Sequence, residues 1–332
     1  MAQTSLVENV TPIVVGAHVT AATFLGGVPV LALGDGTALR IDADGEKRVA
    51  LHADGAILVA ARAGKRLVTG GDDGRIMAMR ADGSTEEIFQ GDGKWIDALI
   101  GRGDSSIAWS SGRQVSARDP QGKVKLFTAP SSVRGLAYAP KGYRLAIAHY
   151  NGATLWFPNT AAAPDVFVWK GAHLDVWFSP DGRFLITSMQ ENALHGWRIA
   201  DKEDMRLSGY PAKTRSCSWS SDGHWLATSG AEACIVWPFK DKDGPMKKAP
   251  RECGVRRAKV SRVAFHPKAL VIAIGYEDGW VLLCRLADGA EIPVRQPRTD
   301  AHDPISALTW DDDGQRLLFG TSEGNAGILA MP

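Results

Sequence analysis

The sequence predicts an all-β chain made by repetition, and three observations carry that reading. A six-residue phrase with largely alternating apolar positions recurs along the whole length. A turn rich in Pro, Asp and Gly follows nearly every copy. The turns return at a period of roughly 40 residues, the spacing of a four-stranded propeller blade.

The phrase appears as VRGLAY (133–138), HLDVWF (173–178), TRSCSW (214–219), VSRVAF (260–265) and ISALTW (305–310). Weaker copies are VTAATF (19–24), AILVAA (56–61) and WIDALI (95–100). Alternation puts one side of each strand toward a core and the other toward a neighbour or solvent. The following turns, such as SPDGR, SSDGH and DDDGQ, use residues with backbone reasons to reverse a chain. A second apolar strand comes next, as in RFLITS and RLLFGT, and then a second turn, such as GDDG or YEDG. A third strand and a more polar fourth, exemplified by EEIFQ and EIPVR, complete the unit.

The first turns act as a ruler. Gly26, Gly64, Gly103, Gly142, Gly182, Gly223, Pro267 and Gly314 are separated by 38, 39, 39, 40, 41, 44 and 47 residues. Eight units account for nearly all 332 residues. The expectation is one domain, 1–332, forming a single eight-bladed β-propeller, with seven blades as the alternative. The eighth unit stops after its third strand, NAGILAMP (325–332). The N-terminal segment Leu6–Val10 is expected to supply the missing outer strand and close the last blade, protecting its edge.

Charge and composition exclude several classes. The formal net charge of +1 provides no global attraction to nucleic acid or to an acidic membrane. No apolar run approaches the roughly 20 residues needed to cross a bilayer. Residues 1–16 lack the basic and apolar regions of a secretory signal. Cys217, Cys234, Cys253 and Cys284 have no CxxC spacing and read as free thiols, which points to a reducing, cytoplasmic setting. The eight histidines fall about one per unit, without HExxH or zinc-finger spacing, and there is no nucleophile elbow or P-loop. No catalytic residue, metal site or cofactor is therefore expected. Acidic residues gather at the second turns: Asp35, Asp72, Asp73, Glu191, Glu232, Glu277, Asp278 and Glu323. Turn formation alone accounts for Asp before Gly, and an acidic ring for a basic partner or cation is the functional alternative. Residues 240–259 carry eight Lys and Arg against three acids, net +5, and read as a connecting loop or as a docking patch. Without interleaved aromatics, specific nucleic-acid reading is not expected there.

These repeats resemble the WD-repeat family over the whole chain. Its Gly-His pair is echoed in Gly16-Ala17-His18, in Gly171-Ala172-His173 and partly in Ala301-His302. Its Trp position holds Ile41, Met79, Ala117, Phe157, Trp197, Trp237, Cys284 and Leu329, and Asp follows only at Asp42. The family's network of His, Asp, Ser/Thr and Trp is complete in no copy. The fifth comes nearest with His173, Ser188 and Trp197, so apolar packing is expected to hold most blades. The resemblance implies a monomeric, non-catalytic scaffold that binds one or more proteins on its top face. The residues approaching first strands would be Trp95, Arg134, Arg215 and Arg262. Those in second turns would be Asp72, Tyr150, Gln190 and Glu277. The alternative is a propeller binding a small ligand or metal ion in its central channel, possibly with hydrolytic activity.

Overall fold

Alternating apolar residues and short turns give antiparallel strands throughout the computed structural model, which describes residues 5–297 and 302–332. Ala301, half of the third Gly-His echo, lies outside the described residues.

Sheet I holds Val19–Leu25, Val28–Leu33, Thr37–Asp42 and Gly45–Ala50, and sheet II holds Ile57–Ala63, Arg66–Gly71, Arg75–Arg80 and Thr85–Gln90. Sheet III holds Ala98–Gly101, Ile107–Ser111, Gln114–Arg118 and Val124–Thr128. Sheet IV has six strands: Gly135–Tyr138, Leu145–Trp156, Asp165–Phe178, Phe184–Met189, Leu194–Arg198 and Asp204–Leu207. Sheet V holds Cys217–Trp219, Trp225–Thr228, Cys234–Pro238 and Arg251–Cys253, and sheet VI holds Val260–Phe265, Val271–Tyr276, Val281–Arg285 and Glu291–Arg295. Sheet VII holds Ile305–Trp310, Arg316–Thr321 and Asn325–Ala330, with Val10–Val14 beside the last. Among the described residues no helix is long and apolar enough to cross a membrane.

Among the described residues the eight sequence copies thus occupy seven hydrogen-bonded sheets, not eight, because the fourth and fifth copies share sheet IV. The strand Asp165–Phe178 runs through both. Its residues 165–168 pair with 155–152, and residues 173–178 pair with 189–185. Leu145–Trp156 likewise carries two arms, one paired with Gly135–Tyr138 and one with Asp165–Val168. Between them Asn151 and Gly152 both have positive φ, 67° and 140°, as a two-residue hairpin turn requires.

The chain divides into two compact units, residues 32–209 and residues 1–31 with 210–332, the division falling within Val28–Leu33. Sheets II, III and IV lie in the first, and sheets V, VI and VII in the second.

Packing inside each unit is face to face. Second strands are buried at nearly every position, as in Phe184–Met189 and Arg316–Thr321, whereas outer strands such as Gly45–Ala50 are exposed. Apolar clusters join consecutive sheets: Ile76 with Ile96 and Trp109, Val115 with Leu136 and Ile147, Val236 with Val263 and Leu282, and Val281 with Ile305 and Leu317. Glycine sets the closest contacts. A Cβ on Gly70 would lie 2.5 Å from Ile96 Cγ2, one on Gly275 2.7 Å from Ile305 Cγ2, and one on Gly320 2.5 Å from Val19 Cγ1. In each case a β-branched residue at the start of one sheet is seated on the second strand of the sheet before it.

The N-terminal strand completes sheet VII as expected, but four residues later than Leu6–Val10. Val10–Val14 pairs with Leu329–Asn325, while Val7–Asn9 forms a single 3-10 turn. Leu6 is buried instead against Val281, Leu283 and Val294, and its N–H donates to Pro293 O at 2.8 Å. Pro12 is tolerated because it lies on an edge strand.

Two outcomes are expected. Gly320→Val destabilises the chain by about 1–3 kcal/mol in urea titration, and adding Val19→Ala restores at least half of that loss. Removing residues 1–14 unburies Leu6 and Ile13 and an entire strand pairing, and lowers the thermal midpoint in calorimetry by about 10 °C or more.

Candidate interaction face

Antiparallel pairing places two loop classes at one end of each sheet. The start of a first strand pairs with the finish of the second: Ile57 with Gly71, Ala98 with Ser110, Gly135 with Ala148 and Val260 with Tyr276. The approach to a first strand and the second turn of the same sheet therefore sit together, and first turns lie at the opposite end.

In residues 32–209, a chain of hydrogen bonds links these ends from sheet II to sheet IV. Ile96 N–H donates to Gly71 O at 3.1 Å, and Gly112 N–H donates to Asp97 Oδ2 at 2.7 Å. Val133 N–H donates to Gly112 O at 2.9 Å, Tyr150 N–H to Ser131 Oγ at 2.8 Å, and Gly171 N–H to Asn151 Oδ1 at 3.2 Å. Four of the expected contact residues stand exposed on this rim: Trp95 (62%), Tyr150 (54%), Arg134 and Gln190. Asp72 does not. It is half-buried, and its carboxylate accepts the Ala56 N–H at 2.7 Å, which locks its own turn.

In the other unit, Arg215 is exposed just before Cys217–Trp219, and Glu277 is exposed in the second turn of sheet VI. Arg262 is placed differently from the sequence expectation. It is the third residue of Val260–Phe265, half-buried, with Nε donating to Ser306 O at 2.7 Å. Arg134 and Arg215 are the second residues of their phrases, so Arg262 is one step out of phase and falls on the other side of its strand. The basic stretch 240–259 is also divided. Residues 240–250, net +2, connect the third and fourth strands of sheet V at the opposite end. Residues 255–259, with Arg256, Arg257 and Lys259, approach the first strand of sheet VI. Arg256 pairs with Asp278 at 3.1 Å and stacks 3.8 Å from the Trp280 ring, so it is already engaged.

Several second-turn acids serve local geometry. Asp35 binds Thr37 and Arg48, and Asp73 binds the buried His52 at 2.9 Å. His52 Nε2 meets Thr69 Oγ1 at 2.9 Å, and Thr69 reaches Met77 O. This relay in sheet II has three of the four polar-network members and went unrecognised in the sequence because no Gly-Ala-His precedes it; the His52, Thr69 and Asp73 spacing was its only signal. In the fifth copy His173 Nδ1 bonds Thr187 Oγ1 at 2.7 Å, not Ser188; the register partner of His173 is Met189, and Thr187, two residues before it, lies on the same side of that strand. Ser188 instead accepts the Asp175 N–H. In sheet V, the Tyr210 hydroxyl bonds Thr228 Oγ1 and accepts from Trp237 Nε1, each at 2.7 Å.

His195 has the most unusual environment. It is fully buried, lies flat on Trp169 with ring centroids 4.0 Å apart, and meets Trp197 edge-on. Among the described residues neither ring nitrogen has a hydrogen-bond partner, and Asp204 Oδ2 stands 3.7 Å from Nε2. Burial, with His173 and Arg206 nearby, pushes its pKa down to about 3. Cys234, Cys253 and Cys284 are buried, Cys217 is half-buried, and all four are free. Among the described residues, no three His, Cys, Asp or Glu side chains are grouped to hold a metal ion.

Consecutive antiparallel sheets, packed face to face and linked in chain order, make this an all-β protein of the β-propeller class. The family model described as WD domain, G-beta repeat matches residues 203–237, and that of the anaphase-promoting complex subunit 4 WD40 domain matches residues 263–331. WD repeat-containing protein 1-B of Xenopus laevis is 35% identical over 81 residues, 24% of this chain and 13% of that protein. Transcription initiation factor TFIID subunit 5 of Caenorhabditis elegans is 24% identical over 124 residues, 37% of this chain and 18% of that protein. The matched stretches thus span less than a fifth of either relative. The crystal structure of the computationally designed Ika8 protein has a similar fold, with a TM-score of 0.77 at 15% identity over 95% of this chain and 97% of that one. Together the two family matches, the WD-repeat relative and the sheet arrangement support a WD-repeat β-propeller.

A neutral, buried His195 makes stability pH-dependent with a definite sign. Its folded pKa lies below the unfolded value, so its penalty is absent above about pH 6.5 and grows as pH falls toward 3. At pH 5 the penalty is about 2 kcal/mol. His195→Phe is expected to flatten the fall in urea midpoint between pH 7.5 and pH 5; an undiminished fall would place the acid sensitivity elsewhere.

Proposed function

We propose that residues 1–332 act as one non-catalytic, monomeric protein-interaction platform. Partners engage the sheet ends that carry first-strand approaches and second turns. The observation that carries this is the exposure of Trp95 and Tyr150, large aromatic side chains on segments held by the hydrogen bonds of Ile96 N–H to Gly71 O and of Tyr150 N–H to Ser131 Oγ. Exposed aromatics and arginines on rigid supports concentrate binding energy, and Arg134 and Arg215 share the same ends of their sheets. One matched family model and one similar sequence carry the names of subunits, which supports a role in assembly. Four free thiols support a reducing, cytoplasmic setting.

We further propose that the platform counts as eight units, with sheet IV serving as two. Its two long strands each divide between separate partners, and eight first turns precede eight second strands.

Affinity capture with mass spectrometry tests the platform. The variant Trp95→Ala, Arg134→Glu, Tyr150→Ala, Arg215→Glu is expected to lose at least ~90% of each specific partner, since anchors of this kind contribute about 2 kcal/mol or more each. Lys240→Glu with Lys242→Glu, at the opposite end of sheet V, is expected to retain them. Partners that survive the first variant, with its melting curve unchanged, would refute the assigned ends.

A further inference from the structure

The rim of residues 32–209 is divided by charge, and that division defines a partner chemistry. On its sheet II side lie Asp54, Asp72, Asp73 and Asp92, with Lys94 already paired to Asp92. Beyond Trp95 the sign reverses. Arg113, Arg134 and Lys170 are all exposed, and among the described residues none of them makes an ion pair. Arg113 is held by one hydrogen bond, from Nε to Ala129 O at 2.9 Å. The acids on this side are Asp97 and Asp175, both half-buried, and the exposed Glu191. Asp97 accepts the Gly112 N–H and Asp175 is close to Ser188 Oγ, at 3.3 Å.

The hydrogen bonds Gly112 to Asp97, Val133 to Gly112, Tyr150 to Ser131 and Gly171 to Asn151 join, one after another, the segments that carry these cations. The five side chains Trp95, Arg113, Arg134, Tyr150 and Lys170 therefore stand on one hydrogen-bonded track of segments, with an exposed aromatic at its start and another inside it. Preorganised backbone lowers the ordering cost of binding. We infer that this track binds a short acidic peptide segment bearing an apolar or aromatic anchor residue. The inference rests on the platform reading above and adds the chemistry of what is bound. Three cations bordered by Asp92 and Glu191 match a few carboxylates at close range. A long phosphate backbone would meet the flanking acids.

The test is selection of phage-displayed random peptides of about twelve residues on the full chain, enough to span a surface track. The recovered peptides are expected to carry net negative charge and at least one Leu, Phe or Trp. For a synthetic peptide from that set, Arg113→Glu, Arg134→Glu, Lys170→Glu together weaken binding at least ~tenfold, and Trp95→Ala with Tyr150→Ala at least ~fivefold. Affinity also falls as salt rises. Recovery of neutral or basic peptides, or an acidic peptide that binds both variants as it binds the parent, would overturn the inference. So would a single-stranded oligonucleotide that competes equally and with the same dependence on the three cations, which would mark a general polyanion surface. If peptide selection fails while captured partners still depend on Trp95 and Tyr150, the charge assignment falls and the platform stands. If neither depends on them, both fall.

Discussion

The structure depends on how closely the first strand of one sheet is seated on the second strand of the preceding one. At Gly70, Gly275 and Gly320 a single methyl group would collide with Ile96, Ile305 and Val19. A four-stranded sheet exposes two faces and cannot bury both by itself, so its stability comes from the neighbour it leans on. The β-branched side chain fills the hollow left by glycine, and the apolar clusters that join consecutive sheets grow outward from that contact. Ser306 Oγ, donating to Val19 O at 2.6 Å, ties sheet VII to Val19–Leu25 where that seating is tightest.

This way of packing separates stability from recognition. The core lies between sheet faces, whereas the sheet ends consist of turns held by their own hydrogen bonds. Asp72, Asp73 and Asp35 are consumed in making those turns rigid. What remains exposed is carried on a stiff support, so Trp95 and Tyr150 present area without a large ordering cost. The rim also divides by charge: acids fix the turns of sheet II, whereas among the described residues the exposed Arg113, Arg134 and Lys170 of sheets III and IV make no ion pair.

Much of the fold was legible in the residues. The turn ruler found every first turn, and the strand phrases fell on the first strands of all seven sheets. The outer N-terminal strand was recognised from a missing element, though its register was not, because Leu6 found a better apolar site near Val294 than a place in the strand. The number of sheets was less legible. Tight turns at Asn151-Gly152 and an unbroken strand through Gly171 let two copies share hydrogen bonds, and no periodicity reports that. The polar relays were misread for a similar reason. A relay needs side chains from different strands on the same side of the sheet, so Thr187 rather than Ser188 meets His173, and Tyr210 meets Thr228.

By itself the sequence determined the repeated unit, its four strands and its turns, since these rest on local alternation and on backbone preferences of Gly, Asp and Pro. It also determined the absence of any motif for nucleotide or zinc chemistry. Only the tertiary structure decided which exposed residues stand together. Arg262 was withdrawn from the candidate face by one step of strand phase, residues 240–259 were split between opposite sheet ends, and Arg113 and Lys170 were brought into line with Arg134. Strand phase and cross-sheet pairing are long-range properties. A one-residue shift reverses the side on which a side chain lies without altering the local pattern from which it would be read.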